Sequence, residues 1–125
     1  MKIASILENH KIEKRIAITP EIVKKYIDLG FEIFLSENYG VHLGFSDQDY
    51  KDLGVKISNN DSEVLNGADI VVQIGLISDE KINLIEVGQN LIGVLNPYNN
   101  KNSIDNLLKK NVNLFSLELL PRITR

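Results

Sequence analysis

Ala68-Asp-Ile-Val-Val-Gln-Ile74 reads as a continuous apolar strand, of the kind buried on both faces of a sheet. A strand covered on both faces belongs to a parallel sheet flanked by helices, so the rest of the chain is read for that alternation. Leu91 to Leu95 is a second such run. Ile3 to Leu7 is a third, Phe31 to Leu35 alternates as a strand, and Val55 to Ile57 is a brief one. Val112 to Leu120 is rich in β-formers and stops at Pro121, which has no N–H to give a sheet ladder. Between these runs lie helix signals. Thr19 is an N-cap with Pro20 at the first helical position, Ile22, Val23, Tyr26, Ile27 and Leu29 form an apolar stripe, and Gly30 closes the helix. Ser46 and Asp49 form a capping box for a short helix reaching Leu53, and Gly54 ends it. Asn59-Asn60-Asp61 opens another that ends at Gly67. Ser78 caps a helix over Asp79 to Val87, and a last helix runs from Ser103 to Lys110 with Ile104, Leu107 and Leu108 inward. Strands and helices thus alternate six times, which implies right-handed crossovers and a doubly wound α/β domain: a mostly parallel sheet with helices on both faces.

A chain of 125 residues has the size of one domain with one core. Its 43% hydrophobic and 25% charged residues are ordinary for a globular protein, and a net charge of -3 speaks against a nucleic-acid surface. The absence of cysteine excludes disulfides and thiolate metal sites. The first ten residues lack the pattern of a signal peptide, and no segment reaches the roughly 18 apolar residues of a bilayer span, so no direct membrane insertion is expected. The chain stops in the loop after its last strand, which reads as a fragment of a longer polypeptide.

Chemistry is sparse. A dinucleotide site needs a Gly-rich turn between strand and helix, and no G-x-G-x-x-G follows any strand; Gly40 and Gly44 lie in a loop. His10 and His42 are 32 residues apart without a carboxylate at ligand spacing, which favours surface or turn roles over catalysis, and no metal site is expected. Ser5, Ser36 and Ser116 lack a nucleophile-elbow context and read as packing or hydrogen-bonding residues. Arg15, flanked by Ile16, Ala17 and Ile18, is expected to be partly drawn inward, either toward a ligand or into a salt bridge with Glu13 or Glu21. Asn96-Pro97-Tyr98 follows a buried strand, at the ligand edge of such a sheet, and also suits a plain turn. Arg122 and Arg125, just past the last strand, suit either a solvated loop or a phosphate or carboxylate ligand.

Three stretches together carry a resemblance. Lys14-Arg-Ile-Ala-Ile-Thr-Pro-Glu21 resembles the opening motif of alanine dehydrogenases and of the NAD(P) transhydrogenase alpha subunit; Gly44-Phe-Ser-Asp47 with Gly54-Val, and Asn66-Gly-Ala-Asp-Ile-Val-Val72, match the same pair. Leu119-Leu-Pro-Arg-Ile-Thr-Arg125 is similar to the transhydrogenase and not to the dehydrogenase. The resemblance implies that Arg122 contacts NAD(H), with Thr124 and Arg125 in the same loop, and that a glutamine and an aspartate lying beyond Arg125 share that role. It implies that residues 1–125 are the N-terminal domain of a longer subunit, followed by an NAD-binding Rossmann domain. For a dehydrogenase the resemblance would place a pyruvate-binding lysine at position 75 and a proton-transferring histidine at position 96. Gly75 and Asn96 stand there instead. The implied function is the peripheral, NAD(H)-binding component of proton-translocating transhydrogenase, with no catalytic acid or base in this chain. The implied partners are the NADP-binding and membrane components, with homodimerisation and a cytoplasmic location at the inner membrane. An alanine dehydrogenase domain and a non-catalytic interaction domain are the alternatives. Without a Gly-rich turn, the isolated segment is expected to bind NADH only in the millimolar range or weaker.

Overall fold

The computed structural model describes residues 1–8, 14–75, 77, 81–94 and 100–116. Six strands, β1 (Lys2–Ser5), β2 (Glu32–Ser36), β3 (Lys56–Ser58), β4 (Ile70–Val72), β5 (Asn90–Gly93) and β6 (Asn113–Ser116), form one sheet in the order β3-β2-β1-β4-β5-β6. Every pairing is parallel. The order turns back between β1 and β4, so one half of the sheet winds outward from each side of that seam. Helices α1 (Pro20–Asp28) and α2 (Asp47–Asp52) precede β2 and β3, and α3 (Asp61–Leu65) and α4 (Lys101–Lys109) precede β4 and β6. The expected parallel, doubly wound architecture is what the chain adopts.

Strand alternation sorts the core into two layers. Ile3, Ile33 and Leu35 face Val23 of α1 and Tyr50 of α2, whereas Ala4, Val71 and Leu91 face Val64 and Leu65 of α3 and Leu107 of α4. The helix ends follow the sequence signals. Thr19 accepts from the Ile22 amide at 3.4 Å with Pro20 in the first turn, and Ser46 and Asp49 form the reciprocal capping box. Gly30 ends the α1 region at φ +95°, a conformation that side chains with a Cβ resist.

Three expectations are corrected. The helix over Asp79 to Val87 is not α-helical where it is described: Ile82–Leu84 is a 3₁₀ turn, with Leu84 N donating to Lys81 O and Ile85 N to Ile82 O. The tighter turn places Ile82 and Ile85 on one side, against the aliphatic layer. The buried Gln89 then takes over, accepting from the Glu86 amide at 2.8 Å and donating to Leu65 O at 2.7 Å. The last helix begins at Lys101, not Ser103, and only Leu107 of its apolar residues is fully buried. Leu108 is 54% exposed, one position round the helix from Leu107, and Leu29 is 72% exposed because it caps α1 beyond the stripe. Residues 117–120 of the last strand lie outside the described residues.

Candidate functional site

The seam between β1 and β4 defines the crevice at the carboxyl ends of the strands where an open α/β sheet takes its ligands. The chain leaves β1 through Ile6, Leu7 and Glu8, and leaves β4 through Gln73, Ile74 and Gly75. Gln73, 2% exposed, bridges the two exits: its Oε1 accepts from the Ile6 amide at 2.8 Å and its Nε2 donates to Ile6 O at 3.0 Å. One residue further, the Glu8 carboxylate spans the same gap from the other side, Oε2 accepting from Ile74 N at 2.9 Å and Oε1 from Gly75 N at 2.7 Å. The crossing that should be open is therefore stitched by two side chains.

A second set of bonds brings the 14–18 loop to this edge. The Tyr39 hydroxyl accepts from Ala17 N at 3.1 Å and Ile18 N at 3.3 Å, which uses both of its lone pairs. Its own proton is left for Ser5 Oγ, 2.8 Å away, and the Ser5 hydroxyl donates onward to Val72 O at 2.6 Å or Gln73 Oε1 at 3.0 Å. Tyr50 donates to Ile18 O at 2.8 Å, and His42 Nε2 meets Lys14 O at 2.9 Å. Burial pushes the Tyr39 phenol up to about 12, against the opposing pull of its hydrogen bonds, and burial raises Tyr50 as well. Neutral phenols are what these positions demand.

Of the candidate residues, Ser5 and Ser36 are hydrogen-bonding groups, as expected. Ser36 Oγ accepts from Leu7 N at 3.0 Å and donates to Asp61 Oδ1 at 2.7 Å, and Lys81 holds the other oxygen of Asp61 at 2.6 Å. His42 lies in a 3₁₀ turn, Val41–Leu43, and ties loop to loop. Arg15 is exposed rather than drawn inward, because Ile18, fully buried three residues on, is the one that anchors the loop. His10, Asn96, Pro97, Tyr98, Arg122, Thr124 and Arg125 lie outside the described residues. Sequence reasoning does not single out Glu8, Gln73 or Tyr39. The one signal for Gln73 is an amide side chain inside an otherwise apolar run, and loop residues such as Glu8 and Tyr39 give none before their partners are known.

Farther along the same edge, beyond β2 and β3, an open cleft of about 440 Å³ is lined by Glu37, Asp47, Lys51, Ser58 and Glu63 among others. Its carboxylates already serve the fold: Asp47 accepts from Asn38 N with both oxygens, and Glu63 from the Ser58 hydroxyl. Among the described residues no group of three or more His, Asp or Glu side chains could hold a metal, and no helix is long and apolar enough to cross a membrane.

Sheet order, paired layers and a crevice without a glycine-rich turn define a Rossmann-like α/β domain. A family model described as alanine dehydrogenase/PNT, N-terminal domain, matches residues 6–125, and the chain belongs to that family. Over its whole length it is 36% identical to the first part of the NAD(P) transhydrogenase subunit alpha of Rickettsia prowazekii (strain Madrid E). It spans only about a third of that relative, 34%. The transhydrogenase from Sinorhizobium meliloti superposes with a TM-score of 0.87 at 28% identity, covering 98% of this chain and 37% of that one. An L-alanine dehydrogenase superposes with a TM-score of 0.86 over 93% of this chain and 32% of its own, but at 21% identity that likeness speaks for the fold alone.

Proposed function

We propose that this chain is the N-terminal part of the NAD(H)-binding, peripheral component of a proton-translocating NAD(P) transhydrogenase. The observation that carries the reading is the 36% identity over the whole chain to a transhydrogenase subunit alpha. The fold does not separate transhydrogenase from dehydrogenase, since solved examples of both superpose almost equally well. Chemistry does: Gly75 supplies no positive charge where a dehydrogenase lysine is expected, and the Asn96 amide moves no proton at neutral pH. Hydride transfer between two nicotinamides needs no acid or base from this domain. What the protein supplies is position and exclusion of water.

In this reading the NAD-binding Rossmann domain follows residue 125, and the NADP-binding and membrane components are partners of a dimeric, membrane-peripheral assembly. Arg122 contacts NAD(H) from the loop after the last strand, with Thr124 and Arg125 contributing less. Calorimetry on the full-length subunit tests this. A charge-assisted hydrogen bond of about 1.5–3 kcal/mol makes Arg122→Ala weaken NADH binding roughly tenfold or more. Unchanged affinity removes Arg122 from the site. The activity itself is read by NADH-dependent reduction of an NADP analogue in the assembled complex. NADH oxidation by pyruvate and ammonia would instead place the chain with the dehydrogenases.

A further inference from the structure

The two carboxylate oxygens of Glu8 each take a backbone N–H from consecutive residues, Ile74 at 2.9 Å and Gly75 at 2.7 Å. Adjacent amides converging on one anion form a concavity of the kind that binds phosphate and carboxylate groups, and distances this short mark charge-assisted bonds. The concavity is held from three sides independently of Glu8. Ile74 O accepts from Val94 N at 2.7 Å, Gln73 N donates to Ile92 O at 2.9 Å, and the Gln73 side chain fixes Ile6. The fit is close on the remaining side, since a Cβ built on Gly75 would stand 3.4 Å from Glu8 Oε1. This recess sits at the β1–β4 seam, where the fold directs ligands.

We propose that the Ile74 and Gly75 amides are an anion site of the crevice and that Glu8 is its resident ligand, so that Glu8 excludes free carboxylates and phosphate groups from the seam. An ionised carboxylate in that position satisfies both donors and repels a second anion. A phosphate-bearing ligand entering the crevice must then be held by other groups. This goes beyond the transhydrogenase reading and does not depend on it, because the site is complete within the described residues.

The test is an amide chemical-shift titration of the 125-residue chain with sodium acetate, and separately with inorganic phosphate, at constant ionic strength set by chloride. In the native chain the Ile74 and Gly75 signals should not respond saturably. In Glu8→Ala both should shift together and saturate at millimolar anion, moving back toward their native positions. Saturable shifts of these two amides in the native chain, or a folded Glu8→Ala whose amides ignore both anions, overturns the proposal. If Glu8→Ala does not fold, Glu8→Gln keeps the size and turns one acceptor into a donor facing an amide. Acetate should then raise the melting temperature of Glu8→Gln more than that of the native chain, and equal increments overturn the proposal.

Discussion

The two faces of the sheet are built from different side chains. The layer against α3 and α4 is aliphatic throughout, centred on Ala4, Ile6, Val64, Leu65, Val71 and Leu91. The layer against α1 and α2 carries Tyr39 and Tyr50 at its heart, both 1% exposed or less, with their rings edge-on at 6.1 Å and 84°. The aliphatic layer can only cohere. The tyrosine layer coheres and also aims hydroxyls at the carboxyl edge, where they hold Ala17 and Ile18 and so fix the loop that bears Arg15. One layer makes the sheet stable, and the other tells a loop where to lie.

The largest effect expected from breaking this contrast is in the aliphatic layer. Leu91 is fully buried on a central strand, so Leu91→Ala should cost about 2–5 kcal/mol in transfer and cavity terms. Urea unfolding should show a lower midpoint with no change in how stability depends on pH. A pH-dependent loss would mean that the two layers are not chemically separate.

Tyr39→Phe probes the other layer. It keeps the ring and leaves the Ala17 and Ile18 amides without their acceptor, at a cost of about 1–3 kcal/mol. It should also alter the alkaline limb of the stability curve. Unfolded, the phenol ionises near 10; folded, it is pushed up to about 12. The raised value means that its contribution is intact below pH 10 and is lost as pH climbs toward about 12, a total of about 3 kcal/mol. Chemical unfolding at pH 9 and at pH 11.5 should therefore differ less in Tyr39→Phe than in the native chain. The alkaline loss should not vanish, since burial raises Tyr50 too. Identical pH slopes in the two proteins would show that the Tyr39 hydroxyl is not buried as described.

The same contrast explains what the sequence discloses. Aliphatic runs such as Ile70–Val72 and Leu91–Gly93 announce a parallel sheet because burial on both faces leaves no room for alternation, and the caps at Thr19 and Ser46 act through neighbours only three residues away. The site works over longer separations. Tyr39 meets Ser5 across 34 residues, and Glu8 meets Gly75 across 67, so nothing local marks any of the four. The failed helix at Asp79 to Val87 has the same origin in its described stretch, where Gln89 reaches Leu65 and a 3₁₀ turn displaces the helical pattern. The nucleotide contacts assigned to Arg122, Thr124 and Arg125 come from resemblance, and those residues lie outside the described ones.

The smallest effect should come at the seam between the layers, from Gly75→Ala. Gly75 does not have the left-handed backbone that would penalise a side chain, unlike Gly30 at φ +95°. The added Cβ would stand 3.4 Å from Glu8 Oε1, the near limit of ordinary van der Waals contact, so neither the strand exit nor the carboxylate has to move. Alanine also has fewer unfolded conformations to lose, which by itself stabilises by about 0.4–1 kcal/mol. A methyl group beside an ionised carboxylate removes some of its solvation and offsets part of that gain. The net expectation is a urea midpoint unchanged or slightly raised at constant m, with the Ile74 and residue-75 amides still bonded to Glu8. A loss above about 1 kcal/mol would place the variant in the overpacked class and mean that Glu8 fills its recess with no space to spare.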